Sequence, residues 1–105
     1  MTQVTLKQDG KTLTALLSGE IDHHWASILR EKIDERAAAA APAILILDFS
    51  AVTFMDSSGI GVLLGRYKQM RASGGAVTYY GAGAQVARIL TVGGMAKLIR
   101  GFEDK

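Results

Sequence analysis

The chain contains no cysteine, which excludes disulfides and thiolate metal sites and leads to the expectation of a reducing, cytoplasmic compartment. Proline occurs once, at Pro42, so the chain is not a proline-rich linker or stalk. Long apolar runs are missing as well. The longest, Ala37 to Leu47, is interrupted by Pro42 and falls far short of the ~20 residues that span a bilayer. The opening residues, Met1-Thr2-Gln3-Val4-Thr5, lack the basic stretch and apolar core of a signal peptide. Charge of one sign does not dominate: twelve Lys and Arg against ten Asp and Glu leave +2, too balanced to argue for nucleic acid or a membrane as partner.

What is present describes a folded domain. Hydrophobic residues make up 49% and charged residues 21% of 105, a globular balance, and the length suits one domain over residues 1–105. Alternation of Val4 and Leu6 with polar neighbours, a turn at Asp9-Gly10 and renewed alternation at Leu13, Ala15 and Leu17 predict a hairpin of residues 3–8 and 12–18. Asp22 is a good N-cap for a helix to about Ala40, with Trp25, Ile28, Leu29 and Ile33 as its apolar stripe and Arg30, Glu31, Asp34 and Glu35 outward. Pro42 marks its stop. The run Ile44 to Leu47 predicts a strand buried on both faces or at a sheet's centre. Phe54-Met55 leads through Asp56-Ser57 into a second helix ending near Ala72, with Ile60, Leu63, Leu64 and Tyr67 inward. Gly74-Gly75 ends it. A strand from Ala76 to Tyr80, a helix from Ala84 to about Val92 stopped by Gly93-Gly94, and a short last strand from Leu98 to Arg100 complete the order β-β-α-β-α-β-α-β, an α/β pattern with parallel neighbours wherever a helix crosses over.

The segment Asp56-Ser57-Ser58-Gly59-Ile60-Gly61 stands out. It lies where a buried strand hands over to a helix, so its hydroxyls sit at the positive helix end. Asp and Ser there are also ordinary helix caps, which need no function. Gly59, Gly61 and Gly65 each cost a helix roughly 1 kcal/mol relative to alanine, so something should compensate. Ser58, Gly61, Val62 and Gly65 fall on one strip of small residues, which suits either close packing on the sheet or a docking surface. A serine hydrolase is disfavoured: the Gly-x-Ser-x-Gly elbow is absent, and His23 and His24, the only histidines, read as a surface first turn. Adjacent helix positions point apart, so the pair is also a poor metal site. Gly81-Ala82-Gly83 and Gly59-Ile60-Gly61 begin like dinucleotide fingerprints, but Val86 and Leu64 occupy the third glycine position.

The run from Phe54 through Asp56-Ser57-Ser58-Gly59-Ile60-Gly61-Val62-Leu63-Leu64-Gly65-Arg66-Tyr67-Lys68, together with Gly19-Glu20-Ile21-Asp22-His23-His24, closely resembles the signature of the STAS-domain anti-sigma factor antagonists. Similarity extends to Leu98-Ile99-Arg100. The resemblance implies a mixed four- or five-stranded sheet with helices packed mainly on one face. It also implies a non-enzymatic binding module, needing no cofactor and monomeric when free, whose partners are an anti-sigma factor serine kinase and a metal-dependent serine phosphatase. The unphosphorylated form would bind the kinase and release a sporulation sigma factor; phosphate on Ser57 would end that complex. Asp22, Asp56, Ser58, Gly59, Gly61, Val62 and Gly65 would border the contact. An antagonist of a general stress pathway, or a regulatory STAS module beside a transporter or sensor, are the alternatives within the same fold. Two departures from the family pattern are a C-terminal helix, for which Gly101 to Lys105 leave no room, and a proline expected in Gly81-Ala82-Gly83-Ala84-Gln85 but missing.

Overall fold

The computed structural model describes residues 2–99. Strands β1 (Gln3–Asp9) and β2 (Thr12–Ile21) form the expected antiparallel hairpin. Helix α1 (His23–Ala40) leads to β3 (Ile44–Met55), α2 (Ser58–Ala72) to β4 (Ala76–Tyr80), and α3 (Ala84–Val92) and α4 (Met95–Leu98) follow. The sheet order is β1-β2-β3-β4, with β2, β3 and β4 parallel across the two helical crossovers. This mixed sheet lies within the four or five strands that the resemblance implied and, among the described residues, has one strand fewer than the β-β-α-β-α-β-α-β pattern anticipated.

Period-two alternation decides where the core lies. Leu13, Ala15 and Leu17 of β2 point the same way as Leu45, Leu47 and Phe49 of β3 and Val77 of β4, and all are buried. All four helices contribute to this one cluster, through Leu29 and Ile33, Val62 and Leu63, Val86 and Leu90, and Met95. The opposite residues, among them Thr14, Leu16, Ile46 and Thr78, are only half-buried. The run Ile44 to Leu47 is therefore central in the sheet but buried on one face, and Ile44 is exposed. β2 reaches as far as Ile21 because a bulge and Gly19, at φ +86°, let it bend and keep pairing with β3.

The helices rotate slightly from the expected stripes. On α1 the buried residues are Ala26, Leu29 and Ile33, with Trp25 and Ile28 half-buried. On α2 they are Gly59, Val62, Leu63, Arg66 and Met70, while Ile60, Leu64 and Tyr67 lie at the margin. Arg66, only 4% exposed, shares the inner side of α2 and faces Asp34 of α1. Asp34 Oδ1 lies 2.9 Å from Arg66 Nε, but that N–H is directed at Gln69 Oε1, 3.3 Å away. Arg66 Nη1 has no hydrogen-bond partner among the described residues. Burial holds the Arg66 guanidinium below its ordinary pKa, against the raising effect of Asp34. Asp34, with its side chain 36% exposed, thus lies at the edge of the outward face, beside Arg66.

Among the described residues the strand expected at Leu98 to Arg100 does not form: Leu98 ends the short helix Met95–Leu98, and Ile99, with extended backbone, is buried in the core. Arg100 and the C-terminal residues to Lys105, where the family pattern calls for a further helix, lie outside the described residues.

Candidate functional site

Register brings the two loops of interest together. Ile21 at the end of β2 pairs with Met55 at the end of β3, and the Asp56 N–H donates to the Ile21 carbonyl at 3.0 Å. Asp22, which opens α1, and Asp56-Ser57, which opens α2, therefore emerge side by side at the C-terminal edge of the parallel strands. Open α/β sheets place their binding sites at this edge.

The start of α2 is built from Asp56. Its Oδ1 accepts from the Ser58 N–H at 2.8 Å, closing a side-chain turn, and its carbonyl accepts from the Gly59 N–H at 3.1 Å. Ser57 occupies the N-cap position with helical φ −64° and ψ −14°, and its side chain makes no capping bond. It is exposed. Asp56 thus performs the structural work of the helix start and leaves the Ser57 hydroxyl available. Ser58 is half-buried and lines a shallow cleft with His23, His24, Ser27 and Arg30. The two histidines are exposed surface residues of α1's first turn.

The small-residue strip divides into two parts. Val62 is 2% exposed and belongs to the core, so it cannot border a partner as the resemblance implied. Gly59 is buried above Met55, whose thioether occupies the space a β-carbon would need. Gly61 and Gly65 are different: a β-carbon at either would meet nothing within 4 Å. Close packing on the sheet therefore does not explain them, and they leave an open, shallow track along α2 beginning beside Ser57. Asp22, Asp56, Ser57, Ser58 and Gly61 cluster at this edge, with Gly65 one turn further on.

Sequence reasoning missed Gln85. Its side-chain amide bonds both backbone groups of Met55: Oε1 accepts from the Met55 N–H at 2.9 Å and Nε2 donates to the Met55 carbonyl at 2.8 Å. The only local hint was a polar residue in the first turn of α3 where the family pattern differs.

The fold and this strand-to-helix elbow define a regulatory domain class, and the sequence agrees. Residues 3–105 match the STAS domain, and the chain belongs to that family. It is 32% identical to the anti-sigma F factor antagonist of Paenibacillus polymyxa over 98% of this chain and 88% of that protein. The unphosphorylated form of the anti-sigma factor antagonist SpoIIAA superposes with a TM-score of 0.84 at 27% identity, covering 98% of this chain and 89% of that one. The phosphorylated form of the Bacillus cell fate determinant SpoIIAA superposes with a TM-score of 0.76 at 26% identity, covering 98% and 92%. Among the described residues no helix is long and apolar enough to cross a membrane.

Proposed function

We propose that this chain is an anti-sigma factor antagonist whose unphosphorylated form binds an anti-sigma factor serine kinase, freeing a sporulation-type sigma factor, and that phosphorylation of Ser57 ends the complex. The observation that carries this reading is the exposed Ser57 at a helix start capped by Asp56 instead, beside the open track at Gly61 and Gly65. A relative of the same fold and similar sequence is known in both an unphosphorylated and a phosphorylated form, which supports the switch.

The chain acts as a protein substrate and not as an enzyme. Kinase and ATP supply the base and the phosphoryl group, and a metal-dependent serine phosphatase resets the switch. Phosphate on Ser57 adds about −1.5 to −2 charges next to Asp56. In the free protein the N–H groups and positive dipole end of α2 offset this repulsion, since a helix N-terminus commonly holds an anion. In the complex the same group is forced against a surface shaped for a hydroxyl and two glycines. Each ~1.4 kcal/mol of overlap and lost solvation weakens binding tenfold. The test is calorimetric titration of an anti-sigma factor kinase with the chain before and after ATP-dependent phosphorylation. Tight binding before and loss of it afterwards is expected; equal affinity in both states removes the switch.

A further inference from the structure

β3 outruns its neighbour on one side. Its pairing with β4 ends at Asp48 and Tyr80, yet the strand continues to Met55. Gly81, at φ +74°, turns the chain away from the sheet there, and a β-carbon on it would sit 2.8 Å from the Ser50 β-carbon. The far end of β3 is thus left without a strand on the β4 side, although Met55 is fully buried. Buried backbone groups need partners.

Gln85, in the first turn of α3, supplies them. A primary amide carries one acceptor and a donor pair, so it reproduces the two bonds that a residue on a neighbouring strand would exchange with Met55. The next residue is held from the other side, because the Asp56 N–H bonds to the Ile21 carbonyl. The two residues ahead of Ser57 are therefore gripped from opposite edges. The other end of α3 bears on the same elbow: Gly93 packs so closely on Ile60 that the Ile60 side chain occupies the space of a β-carbon.

We infer that Gln85 is a positioning residue for the Ser57 switch, fixing through Met55 the turn that presents the hydroxyl. The inference rests on Ser57 being the phosphoacceptor. Gln85 itself donates nothing to Ser57. Its loss should therefore lower the turnover of the kinase on Ser57, while the docking track at Gly61 and Gly65, and with it KM, stays intact.

The experiment combines amide hydrogen exchange with phosphorylation kinetics on Gln85→Ala and Gln85→Glu. In Gln85→Ala the protection of the Met55 N–H should fall about tenfold, the factor matching one hydrogen bond of about 1.4 kcal/mol. Leu45 and Leu47 should keep theirs. kcat for Ser57 should drop by a similar factor with KM unchanged. Gln85→Glu keeps the shape but, when ionised, has no proton to donate to the Met55 carbonyl; protonated, it can make both bonds. A carboxyl oxygen still accepts from the Met55 N–H in either form, so the reporter of this variant is the Met55 carbonyl 13C shift, which should move toward the wild-type value as pH falls into the carboxylic acid range, with wild type flat across the same range. This variant decides the matter if Gln85→Ala fails to fold. Unchanged Met55 protection, or lost protection with unchanged kcat, overturns the inference. If wild-type chain takes no phosphate on Ser57, the proposed function and the switching role both fall, while the exchange data still decide the clamp.

Discussion

Two helices start side by side at the same edge of the sheet, and they start differently. α1 is sealed by its own N-cap: the Asp22 side chain accepts from the Trp25 N–H at 3.0 Å, with extended backbone at φ −120°. α2 has a serine in the equivalent place that caps nothing, because Asp56 closes the turn one residue earlier. The same residue types, Asp and Ser, are good caps in isolation. On the proposed function, what separates a structural start from a functional one here is the division of labour, in which a neighbour does the capping and leaves a hydroxyl free.

The largest effect expected is all-or-none. Ser57→Ala should abolish phosphate incorporation by the kinase, as mapped by mass spectrometry, while binding to it persists. Phosphate on Ser58 of the wild type would reverse the roles of the two serines.

Next in size is the docking track. Gly61→Asp should weaken kinase binding by roughly tenfold or more, about 1.4 kcal/mol, in calorimetric titration. Its melting temperature should hardly move, because the site is open and a carboxylate in the first turns of a helix suits the dipole. Unfolding of this variant would return the strip to core packing.

The comparison of helix starts sharpens in stability. Asp22→Ala should cost about 1 kcal/mol, a fall of about 4–8 °C in melting temperature for a domain this small. Ser57→Ala should change stability by less than about 0.5 kcal/mol, as a surface substitution without a lost cap bond. Equal losses in the two variants would mean that Ser57 caps after all. The smallest effect is a gain: Gly65→Ala, in open space on a helix, should stabilise by about 0.4–1 kcal/mol in chemical denaturation.

Much of this was legible from the residues alone. Alternation marks the hairpin, Asp22 and Gly74-Gly75 bound two helices with β4 following the second, and Asp56-Ser57 marks the elbow. The failures have physical reasons. Hydrophobic spacing places Leu64 and Tyr67 inward on α2, and they do pack against the core, though only from its margin; the buried Arg66 beside Asp34 of another helix is what no local pattern records. A short apolar run does not distinguish strand from helix, so Leu98 suggests a strand; it instead ends the helical turn that follows Gly94, at φ +82°, and extended backbone begins only at Ile99. Gln85 was invisible because a side chain imitating a strand leaves no periodic signature. Val62 was grouped with the glycines by size, whereas burial separates them.

On the proposed function the switch acts locally, at a helix start of the kind that commonly holds an anion. Amide chemical shifts of the unphosphorylated and Ser57-phosphorylated chain test it most directly. Changes confined to the residues around Asp56–Gly61 and the adjoining Asp22 turn are the predicted result. Shifts spread through β2, β3 and β4 would contradict it, since phosphate would then act by rearranging the fold and not by blocking a surface.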